Sequence, residues 1–263
     1  MAITHARNEY TIPRGRVYFE AINPATDESQ GAIYMGNCPA FNVSIETEKA
    51  EHYSSETGLR EKDASVVLEV KRSGSITCDN MNATNVALFL SGSTGAITQA
   101  AETVTGEVLA VLPGRYFQLG ATAVNPVGAR KVSNVVVKSA DGSTEYVAGD
   151  DYNVDAGRGR LQILEGGAIA AGDVQVDYET AACTWTGIRS GASGELRGSL
   201  RVVSDNATGE NRDFYFPLVS LAPTGELPVI AEGTDFSSMS FDVDILKPAG
   251  GEAIYVDGIA LAA

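Results

Sequence analysis

Read for the alternation of apolar and polar residues, the chain is a run of short strands with one helical interruption. From Asp79 to Gly92 (DNMNATNVALFLSG), Ala83, Val86, Ala87 and Leu90 recur at i, i+3, i+4 and i+7, and Phe89 widens the stripe. This spacing predicts a short amphipathic helix, with Asp79 as its N-terminal cap and Gly92 closing its last turn. At about 1.5 Å per residue it spans less than ~20 Å, so it is expected to pack once against a sheet.

Strand patterns flank it on both sides. Gly15–Ala21 and Ala32–Cys38 are rich in Val, Tyr, Phe and Ile and are expected to pair antiparallel across a turn region at Asn23–Gly31. Alternation at Phe41, Val43 and Ile45 then gives way to a charged stretch without period, Ser44–Asp63. A segment of that kind is either a mobile loop or an arm that finds its partner on another molecule. In Ala64–Arg72, Val66, Leu68 and Val70 share one face while Val67, Glu69 and Lys71 share the other, predicting a strand with one wet side. Beyond the helix, Val108–Phe117 reads as a hairpin turning at Pro113-Gly114.

Near Gly120 the texture changes. Strand runs at Val135–Lys138, Glu145–Val147, Arg160–Leu164 and Val174–Tyr178 sit between closely spaced turn clusters, and Asp141-Gly142 is a tight-hairpin signal. They predict a small immunoglobulin-like sandwich of about 60 residues, without the Cys-Trp-Cys pattern of antibody domains. After Ala181 the first texture returns: Leu196, Leu200 and Val202 alternate with Glu195, Arg197, Ser199 and Arg201, and Phe241, Val243 and Ile245 alternate with Asp242 and Asp244. The expected architecture is therefore mainly β with one flanking helix, the first domain running through 1–119 and 181–263 and a β-module inserted at 120–180.

Composition narrows the function classes. The 34 acidic residues against 19 Lys and Arg leave a net charge of −15 spread along the chain, which favours solubility and opposes binding to nucleic acid or anionic membrane. No run approaches the ~20 apolar residues of a membrane span, and the amino end lacks the apolar stretch of a secretory signal, so a cytoplasmic site of folding is expected. Cys38, Cys78 and Cys183 are far apart in sequence and form no CxxC, so reduced and mostly buried thiols are expected.

Candidate chemistry is sparse. With His5 and His52 as the histidines, a Ser-His-Asp or Cys-His site has little support, and no phosphate-binding glycine motif follows a strand. Asp151, Asn153 and Asp155 match the first ligand positions of a calcium loop, but Ala156 stands where glycine is required and Gln162 where the bidentate glutamate belongs. An acidic turn is the better reading. Asp242 and Asp244, two apart on one strand face, are expected to keep that face wet, and Trp185 is expected in a core. Neither enzyme chemistry, a metal nor a cofactor is expected.

Several stretches together resemble the major tail tube protein of long-tailed bacteriophages. They are Gly15-Arg16-Val17-Tyr18-Phe19, Gly36-Asn37 leading to Phe41 and the charged segment, the strand-then-helix run ending NVALFLSG, TVTGEVLAVLPGRYFQLG, and FYFPLVSLAPTGEL followed by FSSMSFDVDIL. The resemblance covers residues ~15 to 119 and ~181 to 258, with the module inserted instead of appended. It implies a β-sandwich of which six copies close into a ring, rings that stack into a tube in the virion, and partners among tape measure, tail tip and terminator proteins, with DNA passing through unbound. It further implies that the charged segment reaches a neighbouring subunit or the next ring, with Glu46, Glu48, Glu51, Glu56, Arg60 and Glu61 available for polar contacts. Glu69, Glu195, Asp242 and Asp244 are the expected lumen-facing acids. The alternative is a monomeric surface adhesive or carbohydrate-binding β-protein.

Overall fold

The computed structural model describes residues 9–23, 26, 28–56, 58–191 and 196–257. It is mainly β, 55% strand and 3% helix. From the amino end the first elements are β1 (Gly15–Ile22), β2 (Ser29–Tyr34), β3 (Ala40–Ser54), β4 (Glu61–Cys78) and the helix α1 (Ala83–Phe89). Next come β5 (Ser93–Gln99), β6 (Glu102–Val111), β7 (Tyr116–Gln118), β8 (Val132–Ser139), β9 (Tyr152–Asp155), β10 (Arg160–Ile163), β11 (Gly172–Thr180) and β12 (Cys183–Arg189). The last are β13 (Leu196–Ser204), β14 (Phe214–Thr224), β15 (Met239–Ile245) and β16 (Tyr255–Val256). The chain divides into a unit made of its two ends, 1–94 and 188–263, and a unit spanning Gly95–Gly187.

The first unit is built on one antiparallel sheet in the order β2-β1-β13-β14-β15-β4-β3, with β16 added beside β14. The predicted pairing of β1 with β2 is present, Tyr18 opposite Tyr34. Alternation sets the faces, as the sequence pattern requires. Val17 and Phe19 of β1, Leu200 of β13, Phe216, Val219 and Leu221 of β14, Phe241, Val243 and Ile245 of β15 and Ile76 of β4 all point into one core. Removing one such phenyl ring to Ala costs about 3–5 kcal/mol. The helix covers part of this face, with Phe89 edge-on to Phe241 at 5.9 Å between ring centroids.

The helix is shorter than predicted, and its caps differ. Asn82, not Asp79, is the N-cap, its side chain accepting the Asn85 N–H at 2.8 Å. Asp79 is instead held at the end of the sheet, its N–H donating to Asn37 O and its carboxylate accepting from Asn37 Nδ2. At the other end Ser91 takes the left-handed conformation (φ 48°), while its N–H and that of Gly92 donate to Leu88 O and Ala87 O in a Schellman closure. Gly92 is required for a different reason: a Cβ there would stand 2.1 Å from Arg189 O. The buried face also turns from the predicted stripe. Leu90 is exposed, and Asn85 is buried, its Nδ2 donating to Met35 O and Asn80 O.

The second unit holds two three-stranded antiparallel sheets, β7-β10-β9 and β6-β11-β8, over a core that includes Leu119, Tyr152, Leu161 and Ile163 from the first and Val137, Val174, Val176 and Tyr178 from the second. It begins at Gly95 and ends at Gly187, outside the expected 120–180, because β6 pairs along β11 and β7 pairs with β10. Val108–Phe117 is therefore not a hairpin: the turn at Pro113-Gly114 hands the chain from one sheet to the other. The Asp141-Gly142 turn is present, Gly142 N–H donating to Ser139 O. Glu145–Val147 joins β8 through a single bridge to Lys138.

Four aspartates of this unit have carboxyls held below their usual range. Hydroxyl bonds from Ser139 and Ser143 and the Ser143 N–H bring Asp141 down to about 2. The Ala168 and Val147 N–H groups lower Asp151, Arg158 lowers Asp155, and Lys138 at 2.6 Å lowers Asp177. Because each folded value lies below the unfolded one, this stabilisation is full above the ordinary carboxylate range, about pH 4, and is lost as pH falls through the folded values. Amide exchange at Val174 and Val176 should accelerate between about pH 4 and pH 2 after correction for intrinsic rates, and Asp141→Asn should flatten the dependence. Corrected rates that do not change over that range would contradict this assignment.

Candidate assembly surface

The charged segment that lacked a period is the far part of a two-stranded arm. β3 and β4 pair from Ala40–Thr77 out to Ser54–Glu61, whereas β15 meets β4 only from Met239–Cys78 to Asp244–Ser73. From Arg72 outward β3 is the sole strand partner of β4 among the described residues, a projection of about 40 Å at strand rise. The expected one wet side is corrected here: every residue from Glu61 to Lys71 is exposed, Val66 at 61%, Val67 at 51% and Leu68 at 65%. The body of the first unit has a cover over its core face, and the arm extends beyond that cover.

Register shows what the arm carries. Ile76 points into the core, and alternation from it places Gly74, Arg72 and Val70 on the same face, with Phe41, Val43 and Ile45 of β3 opposite or adjacent; past the register shift Val67, opposite Lys49, continues this face and Val66, opposite Ala50, falls on the other. A register shift between Glu48 and Lys49 leaves Leu68 without a cross-strand partner. The apolar stripe of the arm is thus the core face prolonged into solvent. On the other face Glu46 lies opposite Lys71, and Glu48 opposite Glu69, a like-charge pair that disfavours the isolated hairpin.

Of the six expected contact residues, the tip already engages two within its own chain. Glu51 accepts from Lys62 Nζ and from the Tyr53 hydroxyl, which hold its carboxyl below the usual range, and the Arg60 guanidinium lies 4.6 Å from the centroid of the Tyr53 ring. Beside them His52 Nδ1 and Asp63 Oδ1 are 2.5 Å apart. Glu46, Glu48, Glu56 and Glu61 are exposed along the arm.

The sheet's second face joins the acids expected in a lumen to a hydroxyl-rich surface. Asp242 lies between Ser75 and Ala222, and Asp244 between Ser73 and Ser220, with Asn42 and Ser44 continuing the rows on β3. Glu69 prolongs this face onto the arm, and Glu195 lies outside the described residues. Arg197, opposite Ser220, together with Arg201 and Arg16, shares the face with Glu20, so the described wall is mixed in charge. At the end of the sheet away from the arm, the loop 225–238 between β14 and β15 exposes Ile230 at 93% and Phe236 at 94%.

Two features were not legible in the sequence. Cys38 and Cys78, far apart in sequence, have their sulfurs 2.9 Å from each other; a hydrogen bond from Cys78 lowers the Cys38 thiol, and that bond together with burial raises the Cys78 thiol. Trp185 is half-buried, not core, with the Arg130 guanidinium 4.5 Å from its ring centroid, so that indole face is covered and offers no sugar platform. Asp151, expected in an acidic turn, points its carboxylate at the Val147 and Ala168 N–H groups, the role of a turn residue. Among the described residues no three His, Cys, Asp or Glu side chains gather as a metal-holding group, and no helix is long and apolar enough to cross a membrane.

Residues 10–250 match the profile of a protein family described as protein of unknown function UCP028589. No curated protein matches the chain.

Because Val66 and Leu68 touch solvent and not the core, replacing both with Thr should move the urea-unfolding free energy of the dilute chain by no more than about 0.5 kcal/mol. Phe241→Ala should lower it by about 3–5 kcal/mol. A comparable loss in the Thr variant would mean that the arm packs on its own body in solution.

Proposed function

The chain belongs to that family, and from this premise we propose that it is a self-assembling structural subunit of a bacteriophage tail tube. Six copies close into a ring through the open sheet edges at β2 and β3, and rings stack into the tube of the virion after assembly in the host cytoplasm. The observation that carries this reading is the arm, whose apolar stripe continues the core face and lacks a cover within the described residues. Open strand edges and an uncovered apolar strip are aggregation hazards unless a defined partner takes them, and closed symmetry with identical copies supplies one.

Magnitudes favour a multivalent assembly over a dimer. Val43, Ile45, Val67 and Val70 are each roughly half exposed, so covering one gains about 1 kcal/mol and covering all four about 4 kcal/mol. The cost of association is about 4–15 kcal/mol, so one arm alone holds weakly. A ring in which every copy both gives and receives an arm multiplies the contact at little further entropic cost. The loop bearing Ile230 and Phe236, at the opposite end of the sheet, is the matching surface for the arm of the next ring in a head-to-tail stack.

In this reading the hydroxyl-rich face with Asp242 and Asp244 lines the bore. Ordinary non-specific DNA binding, ~10⁻⁴ to 10⁻⁶ M, amounts to about 5–8 kcal/mol per site, and repeated along a tube it would hold the genome fast. A wall of Ser, Thr and Asn with balanced or acidic charge avoids that grip. The tape measure, tail tip and terminator proteins are the further partners.

Negative-stain microscopy of the concentrated chain should show six-fold rings or tubes. A variant whose residues 46–70 are replaced by a tight turn should show none. Monodisperse single particles of the intact chain at high concentration would overturn the proposal.

A further inference from the structure

The pair Cys38 and Cys78 stands at the end of the β3–β4 ladder away from the arm, where Cys78 lies opposite Met239. It lies between the last paired residues, Ala40 and Thr77, and the hydrogen bond from Asp79 N–H to Asn37 O. Cys78 is fully buried among Ile76, Met239 and Phe241, while Cys38 is partly exposed and packs on the same cluster. Their sulfurs are 2.9 Å apart, and a disulfide bond is about 2.05 Å long, so closure needs a motion of only about 1 Å. Forty positions separate the two residues, and the segment between them holds the whole of β3 and β4.

We propose that Cys38 and Cys78 are a thiol pair that closes into an intrachain disulfide in the presence of a small-molecule disulfide such as oxidised glutathione, clamping the end of the β3–β4 ladder opposite the arm. Cys38 is the attacking group, since it is the sulfur that solvent reaches. Its thiolate displaces one glutathione thiolate and forms a mixed disulfide. The Cys78 sulfur then attacks Cys38 Sγ and expels the second glutathione, whose departing thiolate takes the Cys78 proton. One small disulfide is reduced to two thiols and two protein thiols are oxidised to one disulfide, so atoms and electrons balance. The closed loop encloses the arm, so the bond restricts the unfolded chain and also prevents β3 from parting from β4 at the sheet margin. This inference concerns one chain and does not depend on ring or tube formation.

The test uses the intact chain and the Cys183→Ser variant, each incubated with oxidised glutathione and then alkylated under denaturing conditions. The expected result in both is one cross-linked peptide pair joining Cys38 to Cys78, a chain lighter by two hydrogens, and Cys183 still alkylatable in the intact chain. Thermal unfolding should rise by about 5–15 °C, return to its starting value with a phosphine reductant, and not rise in Cys38→Ser. Alkylation of both Cys38 and Cys78 after oxidation would overturn the proposal. So would a glutathione adduct that persists on Cys38 without the cross-link.

Discussion

An antiparallel sheet with one apolar face is stable only where something lies over that face. In the first unit, α1 and the segments that pack with it cover Phe19, Phe216 and Phe241, and there the sheet behaves as an ordinary half-buried layer. β3 and β4 do not stop at the cover's edge. They carry the same alternation outward, so that Val43, Ile45, Val70 and, past the register shift, Val67 repeat the core pattern without a cover among the described residues. The constraint is geometric: side-chain direction along a strand has period two, and a strand cannot lengthen without prolonging both its faces.

The arm's other face shows how the chain manages the exposure. Glu46, Glu48, Glu69 and Lys71 keep it wet, and the charges along β3 blunt an edge that would otherwise invite unregulated pairing. The opposition of Glu48 and Glu69, together with the unpartnered Leu68, weakens the hairpin locally where a flat, regular ladder would have been most prone to aggregate. Charge of this kind selects among partners, whereas the apolar stripe supplies most of the gain on contact.

Much of this was legible in the sequence, and the misses have physical causes. The strand alternation of β13 and β15, the single helix and the aperiodic charged stretch as a possible arm all follow from local pattern. The sequence did not reveal that the charged stretch is itself strand, because Glu, Lys and Ser on both faces erase the period-two signal that Val66 to Val70 still shows. The cap moved from Asp79 to Asn82 because Asp79 is tied to Asn37, a long-range bond without a local mark. The limits of the second unit differ from the expected ones because β6 pairs with β11 across the segment that holds β7 to β10, so the texture change near Gly120 falls inside the unit. Asn85 and the Cys38–Cys78 pair depend likewise on contacts between distant segments. Of the expected lumen acids, Asp242 and Asp244 share one face as their spacing required, but the neighbouring Arg197 and Arg201 make that face mixed.

The central claim is that the arm's apolar stripe is covered by another copy of the same chain. Hydroxyl-radical footprinting of Val66, Val67 and Leu68 across a dilution series reads that cover directly. The account predicts ready oxidation of these side chains in dilute solution and strong protection as the chain is concentrated, with Phe241 protected throughout. Equal oxidation of the three residues at every concentration would contradict it.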